Sequence, residues 1–441
     1  MFTIFLPQIT ARTEYIFEYI FTQQLGINFT TTSDQTAFEK YAGEKMNYSA
    51  YRFNNELFIA AHSLLLKRNI ETQNVPVIEL NGTKVLFPND NSCDLGFDIF
   101  SAVFYMLSRY EEYVEFKPDL YGRYNVTESL AFKNNFLKEP VVDKWIIQFK
   151  NVLNKKFPNL KFKPSKFEAI VTYDVDVAYK FEGRNAVRNA GSFIKDLFQA
   201  KFKNIVSRNE VLQKKKADPW DTYNYIEKII SKNNLTSIFF FLVGDNSKND
   251  RNLSYKNPVM KSLVNKIKTF SEIGIHPSFK SSIFTKKILL EKKRLEEICG
   301  KNITKSRQHF LKFRLPQTYN TLIESGITED YSMGFPYEAG FRAGTSKPFY
   351  FYDLLAETTT TLKIFPITLM DGNFFTNGNQ THENILEDIT NLINEVKNLD
   401  GTFLSIWHNH TVSDTEEFRN WRFIHDKMIE NIVLLNESSS A

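Results

Sequence analysis

The 441-residue chain has few of the residues that mark the simplest functional classes. It contains only two cysteines, Cys93 and Cys299, which lie far apart and form no C-x-x-C spacing. This pattern indicates reduced thiols and no disulfide framework. No apolar stretch is as long as a transmembrane helix, and residues 1–12 lack the basic and apolar regions of a signal peptide. These absences predict a soluble, cytoplasmic protein with no membrane span.

An excess of charge of one sign is also lacking. The chain has 55 basic and 51 acidic side chains, a net charge of +4, so we expect no nucleic-acid partner. Internal repeats are absent, and the only low-complexity segment is a serine-rich tail. Hydrophobic residues make up 42% of the chain and charged residues 24%, as in a folded globular protein. The length favours two or three domains.

The pattern of the chain changes near residue 165. Residues 1–165 read as a smaller α/β accessory domain, in which no His, Asp, Cys or Gly residues fall in a catalytic spacing. Residues 166–441 alternate strands and helices, which predicts a parallel α/β sheet or barrel. A strong helix is expected at 97–114. The charged run 109–113 is interpreted as the exposed end of this helix, with an interdomain contact as the alternative.

The most informative stretch is a buried strand at 168–176 that ends on two acids. Residues two apart on a strand point to the same face, so Asp174 and Asp176 should emerge side by side at the carboxyl end. Barrels and open α/β sheets keep their chemistry at this end. Two close carboxylates repel each other, and a bound metal ion is the usual means of compensating this repulsion.

Other predicted strands also end on polar residues, namely His276, the pair Arg307 and His309, Asp371, and His408. Arg307 and His309 were placed on one face of a strand at 303–310. One Asp with two His is a common ligand set for Zn²⁺ or a similar divalent ion. A further carboxylate and a further His could then act as general base and general acid. This set predicts metal-assisted hydrolysis of an amide or ester.

Four segments resemble the motifs of the NodB-type polysaccharide deacetylases, carbohydrate esterase family 4. T-Y-D-V-D at 172–176 is similar to the first motif, and E-I-G-I-H-P-S at 272–278 is similar to the second. S-R-Q-H at 306–309 resembles the third motif, and S-I-W-H at 405–408 resembles the last. The pattern is also similar to a bacterial branch of this superfamily that has an N-terminal domain of unknown function.

The resemblance implies a fold, a cofactor and residue roles. The fold would be a distorted, TIM-like (β/α) barrel of the polysaccharide-deacetylase type with fewer than eight strands. Asp174 would be the catalytic base, Arg307 the residue that orients it, and His408 the general acid. Asp176 and His276 would bind a divalent ion, which we expect to be Zn²⁺.

The chain departs from the family at Lys280, where the second motif places another ligand His. An ammonium cannot ligate unless it is deprotonated, so His309 is our candidate for the missing ligand. If His309 points away, Asp174 is the alternative third ligand of an altered site. Arg342 could bind a substrate anion or carbonyl, or pair with an acid at the barrel rim. Tyr173 and Trp407 could stack on a sugar, or belong to the core.

The expected function is the hydrolytic removal of acetyl groups from an N- or O-acetylated carbohydrate. This would make the protein a hydrolase of non-peptide carbon–nitrogen bonds, in the glycoside hydrolase/deacetylase class of barrels. Two alternatives stay open. One is a catalytically silent carbohydrate-binding or scaffold barrel, and the other is a hydrolase of a C–N bond in a small molecule.

Overall fold

A four-stranded parallel sheet organises the first part of the chain. The computed structural model describes residues 1–89, 93–375, 380–413 and 415–437. The strands of this part are β1 (Phe2–Phe5), β2 (Phe29–Thr32), β3 (Lys45–Ser49), β4 (Leu57–Ala60), β5 (Val77–Leu80) and β6 (Thr83–Leu86). The first four pair in the order β2-β1-β3-β4, and β5 and β6 form a separate antiparallel pair. The expected α/β character is present.

The helices of this part pack on the sheet through aromatic side chains. They are α1 (Ala11–Phe17), which continues as a π-helix at Glu18–Leu25, α2 (Gln35–Lys40), α3 (Ile99–Leu107), α4 (Leu130–Lys133) and α5 (Val141–Lys156). The rings of Phe17, Phe21, Phe100 and Phe149 contact one another at this junction. Helix α3 is shorter than the predicted 97–114 because Asp98 caps its start and Arg109 (φ 53°) leaves the helical conformation.

A nine-stranded sheet organises the second part. Its strands are β7 (Glu168–Val175), β8 (Thr236–Phe241), β9 (Glu272–Ile275), β10 (Lys305–Ser306), β11 (Glu329–Asp330), β12 (Phe349–Asp353), β13 (Thr358–Ile364), β14 (Leu369–Met370) and β15 (Thr402–His408). Their order is β12-β13-β11-β10-β9-β8-β7-β15-β14. Within the described part of this sheet, only β12 is antiparallel to its neighbour, and it is not predicted from the sequence because its strand-like pattern merges with that of β13.

The connections between these strands are mostly helical. The helices are α6 (Ala186–Phe198), α7 (Phe202–Leu212), α8 (Tyr223–Lys232), α9 (Pro258–Ile267), α10 (Lys286–Cys299), α11 (Gln317–Glu324), α12 (Gly372–Phe375), α13 (His382–Lys397) and α14 (Trp421–Glu437). Apolar residues at helical spacing bury one face of most of them. In α9, for example, Met260, Leu263, Val264 and Ile267 are buried while Ser262 and Asn265 are exposed to solvent.

The parallel strands follow one another around the sheet in nearly the order of the chain, with β15 beside β7. Eight of the nine strands are parallel, where fewer than eight were expected. Side chains from the neighbouring strands β8, β7 and β15 meet on one face of the sheet, including Ile170, Ile238, Leu404 and Ile406. No strand pair joins β13 to β14 within the described ranges. The mixed α/β class is confirmed, and closure into a barrel stays a prediction.

The two parts share one continuous apolar core and are joined by buried ion pairs. Arg109 donates to Glu111 and to Glu112, and Arg342 from the 340–345 loop donates to both oxygens of Glu112. All four side chains are buried. The interpretation of 109–113 as an exposed helix end is therefore wrong, and the alternative, a contact between the two parts, is what the structure shows. The boundary that we predicted at 165/166 is untested.

Candidate functional site

The two acids of β7 lie at the carboxyl end of the sheet, as the strand period predicts. Asp174 is the last but one residue of β7, and Asp176 follows the strand directly. Asp174 is in register with His408 at the end of β15, so the parallel pairing brings these two residues together. The same edge receives His276 directly after β9. Four of the predicted residues therefore meet because parallel strands end at one edge.

Three of the predicted ligands form one compact group. Nε2 of His276 lies 3.1 Å from Oδ1 of Asp176, and Nε2 of His309 lies 3.4 Å from Oδ2 of Asp176. One donor atom from each of the three residues falls within 4.8 Å of the others. Lys280, which occupies the place of a ligand His in the family pattern, is exposed to solvent. The structure thus brings His309, and not Lys280, to the other two residues.

Each imidazole of this group is oriented through its Nδ1 atom. Nδ1 of His276 lies 2.6 Å from the carbonyl oxygen of Arg307, and a carbonyl can only accept a hydrogen bond. Nδ1 of His309 lies 2.9 Å from Oδ1 of Asp250. The protons therefore belong on Nδ1, which leaves both Nε2 lone pairs facing Asp176 when the rings are neutral. Asp250 is itself held by the amide of Phe279 and the hydroxyl of Ser247.

This arrangement fits a divalent cation. Oδ1 of Asp176 is buried and has no hydrogen-bond partner, although an imidazole nitrogen lies 3.1 Å away. A carboxylate oxygen and an imidazole nitrogen face each other there, which requires a positive charge between them, either a proton on the imidazole or a bound metal ion. Burial alone would raise the pKa of Asp176, but His309 and His276 hold that pKa well below its ordinary value. Burial lowers the pKa of His309, yet Asp176 and Asp250 together raise it to about 9.

Asp174 is held beside this group by Arg307. Nη1 of Arg307 donates to Oδ1 of Asp174 at 2.8 Å and to the hydroxyl of Thr172, and Nε donates to the carbonyl of Tyr331. The guanidinium also lies over the ring of Phe240, 4.3 Å from its centroid. The other carboxylate oxygen, Oδ2 of Asp174, stays 3.7 Å from Nε2 of His276. Arg307 thus fixes one oxygen of Asp174 and leaves the second facing the candidate metal site.

His408 faces the group from the other side with a carboxylate behind it. Its Nδ1 lies 2.9 Å from Oδ1 of Asp371, and its Nε2 lies 3.5 Å from Oδ2 of Asp176. Thr411 donates to Asp371 and holds it in place. Burial opposes the charged form of His408, but Asp371 outweighs it and raises the pKa to about 10. The raised pKa favours the charged form of His408, from which Nε2 can donate a proton.

The group opens into a cavity of about 230 Å³. Apart from the residues above, its walls include Phe310, Leu311, Pro336, Tyr337 and Met370. One wall residue, Arg123, comes from the first part of the chain. It donates from Nη1 to the carbonyl of Phe310 at 2.7 Å, pairs with Asp119, and lies over the ring of Tyr337.

Three residues predicted to bind substrate are elsewhere. Arg342 is buried against Glu112, which is the alternative that the sequence left open. Tyr173 and Trp407 are fully buried on the other face of the sheet, where both contact the ring of His425. None of the three lines the cavity. Tyr173 and Trp407 lie there because strand residues alternate between faces, so these sequence neighbours of Asp174 and His408 point to the opposite face.

Two site residues escaped the sequence reasoning. Asp250 lies in the long connection after β8, where no motif or periodicity marks it. Arg123 lies in the part for which no chemistry was expected. Asp371 was noted at a strand end without a role, and the structure places it behind His408. For Asp250 and Asp371, the need of each site histidine for an acidic partner was the one signal that the sequence offered.

Comparisons with known proteins give a family of unknown function and a set of structural neighbours. The protein-family model DUF7033, described as a family of unknown function, matches residues 2–158. A comparison with curated proteins gave no match. Of the helices described, none combines the length and apolar character needed to cross a bilayer.

Several solved structures are similar to the chain at low identity. One, from Mycobacterium smegmatis, is assigned as a polysaccharide deacetylase; the two share 15% identity over 62% of this chain and 85% of that one, with a TM-score of 0.41. A CE4 family pseudoenzyme from Bacillus anthracis shares 10% identity over 63% of each chain, with a TM-score of 0.32. A polysaccharide deacetylase from Bacillus cereus shares 9% identity over 60% of this chain and 86% of that one, with a TM-score of 0.30.

Proposed function

We propose that the chain is a metal-dependent hydrolase that removes acetyl groups from an N- or O-acetylated carbohydrate. The observation that supports this most is the pairing of Asp174 and Asp176 with two imidazoles on one side and His408 on the other. This set supplies a base, a cation site and an acid around one cavity. The motif resemblance supplies the reaction class and the substrate class.

Asp176, His276 and His309 would hold the divalent ion, for which Zn²⁺ suits two nitrogens and one carboxylate. When bound, such an ion polarises the acetyl carbonyl and makes water more acidic. Asp174, oriented by Arg307, takes a proton from the attacking water through Oδ2. His408 returns a proton from Nε2 to the leaving nitrogen or oxygen, while Asp371 stabilises its charge.

We keep the domain division and the cellular location that were predicted from the sequence. Residues 166–441 would form the catalytic barrel, and residues 1–165 an accessory domain that adds Arg123 to the cavity. A cytoplasmic location and the absence of a nucleic-acid partner are retained as expectations.

Two variants should distinguish the loss of bound metal from the loss of activity. Purified wild-type protein should bind one equivalent of zinc and release acetate from acetylated chito-oligosaccharides or acetylated xylan. Asp176→Asn should lose both zinc and activity, because a ligand is removed. Asp174→Asn should keep zinc and lose activity by at least about 100-fold, which is the usual contribution of a general base. Asp388→Asn, on α13 outside the cavity, is the matched control.

A second candidate, hydrolysis of a C–N bond in a small molecule, is favoured by the small cavity. Its volume of about 230 Å³ is below the range typical of ligand pockets, about 300–1,000 Å³. Ring opening of cyclic amides without acetate release would select this candidate. A protein that takes up no zinc and converts neither substrate class would be a silent barrel, for which Lys280 in place of a ligand His is the supporting feature.

A further inference from the structure

The helices α6 and α7 form a hairpin whose apolar side chains face solvent. The rings of Phe198 and Phe202 are 88% and 62% exposed. Five further apolar side chains of the two helices are also exposed: Phe193, Ile194, Leu197, Val206 and Leu212. Other amphipathic helices of the chain bury the corresponding face, as α9 and α13 do. A patch of this kind on a folded protein usually marks an interaction surface.

The same segment is strongly basic. Residues 189–217, which we call the basic hairpin, contain seven Lys or Arg and only two acidic residues, so their net charge of +5 exceeds the +4 of the entire chain. One acid, Asp196, is already paired with Arg208. Lys203 lies 3.0 Å from Glu416, but the run 214–216 is three exposed lysines. Exposed apolar residues and clustered positive charge are therefore combined in 29 residues.

The tip of the basic hairpin concentrates both features. Phe198 ends α6 and Phe202 begins α7, so the two most exposed rings of this segment stand on either side of a three-residue turn. Lys201 and Lys203 flank Phe202. Aromatic rings that enter the boundary between headgroups and acyl chains, with lysines at the level of the phosphates, are typical of proteins that lie on a membrane surface.

We propose that the basic hairpin binds the surface of an anionic membrane, with the rings of Phe198 and Phe202 inserted at its tip. The charge argues against a second copy of the chain, because two basic hairpins in contact would repel each other. The proposal does not depend on the proposed function. It requires no membrane-spanning helix, since the segment would lie in the interface.

Vesicle sedimentation tests this proposal on the full chain. The protein should bind vesicles of mixed phosphatidylcholine and phosphatidylglycerol at least about tenfold more strongly than vesicles of phosphatidylcholine alone. Added salt should weaken this binding. Phe198→Ser with Phe202→Ser should reduce it through lost insertion, and Lys214→Glu with Lys215→Glu should remove the preference for anionic lipid. Leu355→Ser, at a side chain 63% exposed outside the hairpin, is the matched control.

Three outcomes would overturn the proposal. Wild-type protein could fail to sediment with anionic vesicles, or it could bind both vesicle types equally. It could also form a dimer in analytical ultracentrifugation that Phe198→Ser with Phe202→Ser converts to a monomer, in which case the surface joins two copies. Because the substituted side chains are solvent-exposed, the variants should keep the wild-type unfolding transition, which shows that lost binding is not lost folding.

Discussion

Two buried clusters of opposite charges sit in this molecule, one between the two parts of the chain and one at the carboxyl end of the large sheet. In the first, Arg109, Glu111, Glu112 and Arg342 satisfy one another, and the second oxygen of Glu111 accepts from the amide of Leu130. In the second, Oδ1 of Asp176 has no hydrogen-bond partner and a cavity lies beside it.

The difference shows how charge burial serves two purposes. In the closed cluster between the parts, every carboxylate oxygen has a donor, so nothing is left over to bind a further molecule. In the open cluster, one oxygen of Asp176 has no hydrogen-bond partner and lies beside two imidazoles and a cavity, so a cation can still be bound there. A buried charge is therefore a sign of chemistry only when its partners are incomplete.

The largest effect is expected where the closed cluster is broken. Glu112→Gln removes the shared partner of Arg109 and Arg342 and leaves two buried guanidinium groups undercompensated. The free energy of unfolding should fall by about 3–5 kcal/mol. Urea denaturation followed by circular dichroism measures it. Glu430→Gln, which breaks the exposed pair with Lys427, should cost less than about 1 kcal/mol. Equal effects of the two substitutions would contradict this account.

Acid should weaken the same cluster. Burial favours a higher pKa for Glu112, but Arg342 and Arg109 outweigh it and lower that pKa below its ordinary value. A carboxyl whose pKa is lower in the folded state stabilises the fold above its unfolded pKa, about 4.3, and loses this stabilisation as the pH falls through the folded value. The gap in unfolding free energy between wild type and Glu112→Gln should therefore be constant near neutral pH and shrink below about pH 4. A gap that widens on acidification would refute it.

An intermediate effect is expected behind the open cluster. Asp250→Asn removes the carboxylate that holds the proton on Nδ1 of His309. Zinc affinity should drop by about 10- to 100-fold while the unfolding transition of the apo protein changes little. Isothermal titration calorimetry with zinc, with Asp388→Asn as control, measures the ratio. Unchanged affinity would show that His309 is not a ligand.

The smallest effect is expected at Lys280. Lys280→His restores the residue type of the family pattern, but at an exposed position, whereas His309 already faces Asp176. Zinc affinity should change by less than about twofold, because the ligand set is already supplied. A large gain in zinc binding or acetate release would mean that His309 is not the replacement ligand.

Sequence reasoning found the part of the site that regular strands deliver. The period of two placed Asp174 and Asp176, and the common edge of parallel strands placed His276 and His408 with them. His309 reached the same place by another route, since β10 ends at Ser306 and a turn with positive φ at Phe310 follows the histidine. Asp250 and Arg123 lie in connections that no periodicity describes. For Arg342, Tyr173 and Trp407 the sequence left a structural role open beside the substrate role, because a motif names neighbours in sequence without saying which face they occupy; the structure shows the structural role.

In the part of the chain that the structure describes, β13 and β14 do not pair, and this seam has a consequence for unfolding. The chain between β11 and β12 runs along this seam: the amide of Ile367 donates to Met333 and that of Gly340 donates to Thr368. The same segment holds the first part of the chain, through Phe341 to Leu137 and through Ser346 to Asp143. Detaching the first part would free this segment and open the seam, and opening the seam would release the first part. The two parts should therefore unfold in a single calorimetric transition, as one cooperative unit and not as two independent domains.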